Sequence, residues 1–464
     1  YDLGSVAVPD ISGEAIITEF SDNTLTIDLE LQNTPDGGQH PAHIHFSTAA
    51  EGGGIALTLG TVDGSTGMSS IMVTTLDDGT PVDYDDLVNF DGYINVHLSA
   101  EELSTIVAQG DIGQNDLTAN SKSYDLGEKA VAGIDGKVTF FERVIGEALS
   151  VIELMNTPEG GIHPTHIHFN SAAEGGGIAF SFNPVDGTSG QSKTNVAALD
   201  DSTPFGYEEL QNFDGYINVH LSAEDLNVIV AQGDIGSNEL TGTSIMYDLV
   251  EKDAPGISGM VTFFERKSGD ALARIQLMNT PAGGMHPAHI HENDAATGGG
   301  IAFSFNPVNG DTGMSDTHVA ELDNGTPFGY MDIDQFDGYI NVHLSMDNLA
   351  TIVAQGNIGS NANDDGTDAG KSFSVGNSGS TAYIFNNDEL DDASNPDITL
   401  KRGETYTFNM DASGHPFYIK TVATLGTGDT YDEGVTGNGS ESGTVTFEVP
   451  MDAPDTLFYI CEFH

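Results

Sequence analysis

The chain has 464 residues, with 71 Asp and Glu against 13 Lys and Arg, and a formal net charge of −58. Nucleic-acid binding needs a basic footprint and docking on anionic lipid draws on polybasic segments, so the composition excludes the first and argues against the second. Hydrophobic residues at 38%, including 23 Phe and 14 Tyr, suffice for several cores, and no apolar run reaches the roughly 18 residues of a membrane span.

The chain opens at Tyr1 with no methionine and no apolar leader core, and is read as a mature or partial chain. "YDL" at Tyr1 predicts a first strand. "NTLTIDLELQN" (23–33) alternates with period two and predicts the next, followed by "HIHF" (43–46) and "GYINVHLS" (92–99), with Gly, Asp, Asn and Pro clusters between them. "SAEELSTIVAQG" (99–110) has a Ser cap, early Glu residues and a terminal Gly, and predicts a helix. "YDL" then returns at Tyr124 and Tyr247, and "FDGYINVHLS" begins at Phe90, Phe213 and Phe336. "KVTFFERV" (137–144) predicts a strand of the second copy. The constant spacing of 123 residues defines three repeats, 1–123, 124–246 and 247–369, each the size of a domain. Residues 361–371 carry no large apolar side chain and are read as a linker to a fourth, unrelated unit, 370–464. Many short strands and 57 Gly predict an all-β architecture of tandem Greek-key β-sandwiches.

Twelve of the 15 histidines fall at four equivalent positions: His40, His43, His45 and His97; His163, His166, His168 and His220; His286, His289, His291 and His343. Alternate strand residues share a face, so His43 and His45 lie together. In the later strand Tyr93, Asn95 and His97 lie opposite Ile94, Val96 and Leu98. Pro41 is expected to bend the chain so that His40 swings round to join them. Three or four converging imidazoles form a site for copper, with zinc the alternative. His318 has no counterpart in the other repeats and is read as a surface residue. Asp91, Asp214 and Asp337 are read as turn formers. Acidic loops at 62–67, 76–81 and 110–116 offer carboxylates and carbonyls to calcium, but none has EF-hand spacing.

The stretches "HPAHIH" (40–45), "GYINVH" (92–97) and "AQGDIG" (108–113), with their counterparts in the other repeats, resemble the CHRD (chordin-type) domain over nearly all of 1–369. The His-x-His strand and the later strand histidine also resemble copper/zinc superoxide dismutase. That resemblance implies a dismutase-like enzyme as an alternative. The repeats lack the cysteines and the arginine near copper on which that chemistry relies, and a strongly negative surface repels superoxide. The fourth unit, with "SGHPFYIKT" (413–421) and "DTLFYICEFH" (455–464), resembles a cupredoxin. The resemblance implies that His415, Cys461 and His464 hold a blue-copper site, and opens a second alternative, electron transfer or copper storage.

The only cysteine is Cys461, which excludes a disulfide framework. An acidic, Lys-poor surface suits high ionic strength and implies secretion to the cell exterior. Three like domains and a terminal one predict a modular copper-binding surface or filament protein. The "YDL" strand at Tyr1 is expected to dock on another subunit, giving head-to-tail self-association.

Overall fold

The computed structural model describes all residues except 23, 363–371, 388, 389, 391, 401, 455 and 464. Most of the expected linker, 361–371, and His464 thus lie outside the described residues. The architecture is all-β, as the alternation predicts.

In the first repeat the strands are β1 (Asp2–Ser5), β2 (Ser12–Glu19), β3 (Leu25–Gln32), β4 (Gln39–Phe46), β5 (Ile55–Asp63) and β6 (Met68–Val73), followed by the short helix α1 (Tyr84–Val88), then β7 (Asp91–His97) and β8 (Ile106–Gly113). The sheet order is β1-β2-β3-β6-β5-β4-β7-β8, and β1 pairs back onto β8 to close a barrel. Its filling is the inward row of each strand, with Ile27, Leu29, Ala42, Ile44, Ile94 and Val96 all buried. At the seam the chains approach closely: a Cβ on Gly110 would lie 2.0 Å from the Asp2 carbonyl. Gly110→Ala is therefore expected to cost about 1–3 kcal/mol, read by thermal unfolding, because backbone rather than a flexible side chain must move.

The helix expected at 99–110 is not formed, which corrects that reading. Residues 99–105 turn a hairpin, in which the Leu98 N–H donates to the Thr105 carbonyl (2.8 Å) and Ser99 Oγ accepts from the Glu101 N–H (3.3 Å). The β-branched pair Ile106 and Val107 then continues as β8, with Val107 and Ala108 in the core. The helix that does form is α1, held by a reciprocal Asp83–Asp86 capping box.

The second and third repeats keep this order. In the second, the equivalent of β4 is interrupted at Pro164 into Ile162–His163 and Thr165–Phe169. Neighbouring repeats are joined without a flexible linker. One strand, β9 (Leu117–Glu128), leaves the first repeat and ends inside the second, where it supplies the "YDL" strand. Leu240–Glu251 does the same for the third. The "YDL" strand at Tyr1 is likewise used within its own barrel, between β2 and β8.

The C-terminal unit has its own aromatic core, including Phe373, Phe385, Phe408 and Phe417. Ser372–Ser378 runs parallel to Thr405–Asp411 in a six-stranded sheet, and Phe417–Lys420 pairs antiparallel with Phe458–Cys461.

Candidate metal centre

β4 and β7 are neighbours in register, with His43 opposite Asn95 and His45 opposite Tyr93. Both strands turn their aliphatic row into the barrel, which leaves the other row, His43 and His45 from β4 and His97 from β7, together on the outer side. One nitrogen from each of these three rings lies within 4.8 Å of the others, and His166, His168 and His220 form the same group in the second repeat and His289, His291 and His343 in the third. Among the described residues, these three groups alone are assembled in this way from His, Cys, Asp and Glu.

The donor nitrogens are prepared for a cation. In the second repeat His168 Nδ1 lies 3.0 Å from the Gly176 carbonyl and His220 Nδ1 2.6 Å from the Leu226 carbonyl. Each carbonyl accepts the Nδ1 proton, which leaves Nε2 with a lone pair directed away from the main chain. The Nε2 atoms of His168 and His220 and Nδ1 of His166 are buried and have no hydrogen-bond partner. His45 repeats the arrangement, with Nδ1 2.9 Å from the Gly53 carbonyl and Nε2 unpaired. Tyr93 stacks on His45 at 5.0 Å, and its hydroxyl accepts from the Gly53 N–H (3.2 Å), so ring and loop are fixed together. Three imidazoles that each offer one nitrogen to a common point are a donor set that could hold a metal ion.

Burial, followed by the neighbouring imidazoles, holds the pKa of His43 and His166 below the ordinary value of 6.5. Burial also lowers His97, His168 and His220, despite the carbonyl partners that favour their protonated forms. The rings thus stay neutral and able to ligate below pH 6.5. Between the depressed folded values and 6.5 the unfolded chain binds more protons than the folded one, so falling pH favours unfolding. In high salt, which screens the acidic surface, the metal-free protein is expected to lose stability as pH falls through 6.5. Urea unfolding free energies that stay level or rise over that window contradict this.

His40 does not join the triad. It shares the row of Ala42 and Ile44, and β4 runs straight through Pro41, so its ring is buried on the core side. Its Nδ1 lies 3.2 Å from the His97 carbonyl, a tie from β4 to the end of β7 that His163 and His286 repeat at 3.2 Å. These three residues position the third ligand's strand. His318 is not a surface residue either: its side chain is 14% exposed, between Glu174 and Asp270 at the junction of the second and third repeats.

The acidic loops use their carboxylates internally. Asp63 accepts from the Ser65 N–H (2.8 Å), Asp78 from Thr80 (2.8 Å) and Asp77 from Thr58 (3.0 Å). Asp91 and Asp214 accept from Asn115 and Asn238 (2.9 and 2.8 Å), clamping the start of the histidine strand. Sequence reading missed Arg143 and Arg266, which are buried at the two repeat junctions.

In the C-terminal unit strand register sets Cys461 opposite Phe417, two residues beyond His415, and Sγ comes 3.8 Å from His415 Nδ1. Cys461 is buried, and the Tyr383 hydroxyl beside it donates to the His415 carbonyl (2.9 Å). Burial and Cys461 push that phenol far above its ordinary range.

No protein-family model matches the chain, and no curated protein matches it. None of the helices is long and apolar enough to cross a membrane, among the described residues.

Proposed function

We propose that this is a secreted, copper-binding structural protein of the cell exterior, made of tandem CHRD-type repeats and a cupredoxin-like terminal unit. The observation that carries the reading is the gathering of three imidazoles in each repeat, with nitrogens that in the second repeat are buried and have no hydrogen-bond partner. Three neutral imidazoles suit copper in either common oxidation state, and zinc is the rival ion. The Cys461–His415 contact favours a second reading for the last unit, electron transfer or copper storage. The acidic surface supports an exterior, saline setting and argues against efficient superoxide turnover. A surface or filament role is the reading for the array as a whole.

The test is metal content after loading with Cu(II) or Zn(II) and exhaustive dialysis. About three equivalents are expected from the repeats and a fourth from the last unit. The fourth should bring an intense thiolate-to-copper band that Cys461→Ser removes. Retention of no copper overturns the reading, and retention of zinc in its place overturns the choice of metal. Superoxide consumption above that of free copper would move the repeats to the enzyme reading.

A further inference from the structure

We infer that the side-chain amide of Asn95, with Asn218 and Asn341 in the other repeats, is the hydrogen-bond donor for a small anion bound at the metal of each triad. The inference rests on the metal reading above and names the class of ligand that completes the site. Asn95 is directly opposite His43 in the β4–β7 ladder, and Asn218 is directly opposite His166. Directly paired residues of adjacent strands share a face, so these asparagines stand on the outer row with the imidazoles. The row neighbours of Asn95 on β7 are Tyr93, which stacks on His45, and the third ligand, His97. The rings of His43, across from Asn95, and His97, beside it, have centroids 5.2 Å apart.

On the solvent side of an antiparallel sheet polar side chains are ordinarily wet. Asn95, Asn218 and Asn341 are only 4%, 4% and 5% exposed, so the side chains around them cover them. Half of each amide is already engaged. Gln109 Nε2, on β8, donates to Asn95 Oδ1 (2.8 Å), and Gln232 with Asn218 (2.8 Å) and Gln355 with Asn341 (2.7 Å) repeat the bond. β7 lies between β8 and β4 in the sheet. The two amide atoms diverge from one carbon, so an oxygen held on the β8 side turns the nitrogen to the β4 side, where the imidazoles gather. None of the three Nδ2 atoms has an acceptor among the described residues.

A buried N–H without an acceptor is costly, and the same half-used amide occurs in every repeat. The asparagine is not itself a fourth ligand, because its oxygen is held by the glutamine and its NH2 group only donates. Three imidazoles bring no charge to an ion, and a site with three protein ligands keeps one position for a ligand from solvent. His43 and His45 are only half-buried, which gives a small ligand access. An anion in that position meets the ion with one lone pair and accepts the asparagine N–H with another. Such a charge-assisted bond is about twice as strong as a neutral one. A neutral nitrogen base gives its only lone pair to the ion and gains nothing from the amide. The ligand is therefore a small anion with a lone pair to spare.

The test loads the 464-residue chain with Cu(II), measures its copper content, and titrates azide by the charge-transfer absorption that azide gives on copper. The parent is compared with the triple variant Asn95→Leu, Asn218→Leu and Asn341→Leu, which keeps the side-chain bulk. Alanine at the same three positions is the second variant, should leucine prevent folding. Both are expected to keep the parent's copper content and to bind azide about 10-fold or more weakly, the loss of one hydrogen bond to a charged group. Imidazole, titrated in parallel, should bind the parent and the leucine variant alike. Equal loss of azide and imidazole affinity would reduce the asparagine to a structural support and overturn the inference. Azide affinity unchanged by the substitutions, or a copper-loaded parent that takes up no azide, also overturns it and leaves the triad standing as a metal site. A parent that retains no copper fails at the first measurement and overturns the metal reading with it.

Discussion

Replacing His97, His220 and His343 together by alanine is expected to abolish metal retention in all three repeats while the barrels stay folded. Each substitution removes the one ligand that comes from a different strand, and leaves two imidazoles two residues apart on β4 or its equivalent. Even disturbing a ligand's hydrogen-bond partner typically costs about 10–100-fold in metal affinity, so losing a ligand outright should cost at least about 100-fold per site. The rings lie on the outer row, so the aliphatic filling of Ile94 and Val96 is untouched. Metal present at 100 times its dissociation constant stabilises the folded state by about 2.7 kcal/mol, and that increment should vanish from the variant. The informative control is His40, His163 and His286 changed to alanine. These rings sit on the core row and bond to the main chain of the third ligand. This second variant should lose stability yet keep its metal when assayed below its unfolding temperature. Equal metal loss from both variants would show that the core-row histidines also ligate. Undiminished metal in the first would remove the triad as the site.

The contrast between those two sets shows which parts of the site were legible in the sequence. Strand parity alone placed His43 with His45, and His97 opposite Ile94 and Val96, because burial of one row forces the other outward. The same parity puts His40 with Ala42 and Ile44. Reading Pro41 as a bend hid that, and the strand passes through it unbroken in the first repeat. The tautomer-setting carbonyls of Gly53 and Gly176 were out of reach, since only the folded loop brings them to the ring. The segment 99–110 failed for a different reason. Its cap-like serine and glutamates fit a helix, but they serve a hairpin turn, and tertiary pairing with β7 and β1 makes residues 106–110 a strand. Closure of the sheet into a barrel was equally hidden, because the pairing of β1 with β8 is non-local.

Comparison of the repeats with one another would have revealed the junctions. The position held by Arg143 and Arg266 is Phe20 in the first repeat, and the position held by Asp111 and Asp234 is Asn357 in the third. The pair occurs only where two repeats meet. A chain with only 13 basic residues places two of them at this one buried position.

Arg143→Ala or Arg266→Ala is accordingly expected to cost about 3–5 kcal/mol, because each leaves a carboxylate facing an interior that has lost its cation. Arg143 Nη1 donates to Asp111 Oδ2 (2.7 Å) and to the Asn115 carbonyl, and Nε donates to Asn195 Oδ1 (2.8 Å). Arg266 Nη1 makes the same pair of bonds with Asp234 (2.9 Å) and the Asn238 carbonyl (2.6 Å). Asp111 also accepts from the Ala49 N–H (2.7 Å), so the same carboxylate ties the junction to the loop whose Gly53 carbonyl meets His45. Lysine cannot hold Asp111 and Asn195 at once, and Arg143→Lys should recover only part of the loss. Arg143 Nη2 has no partner, so desolvation of the guanidinium is not fully recovered. The double substitution Asp111→Leu with Arg143→Met should therefore cost less than the two single changes added together, while still leaving the Ala49 N–H and the Asn195 amide without these partners. Urea unfolding of the four proteins in this cycle measures the coupling. Singles that unfold like the parent would mean that the main-chain bonds of Val144 and Ile145 to Asp116 and Gln114 hold the junction unaided.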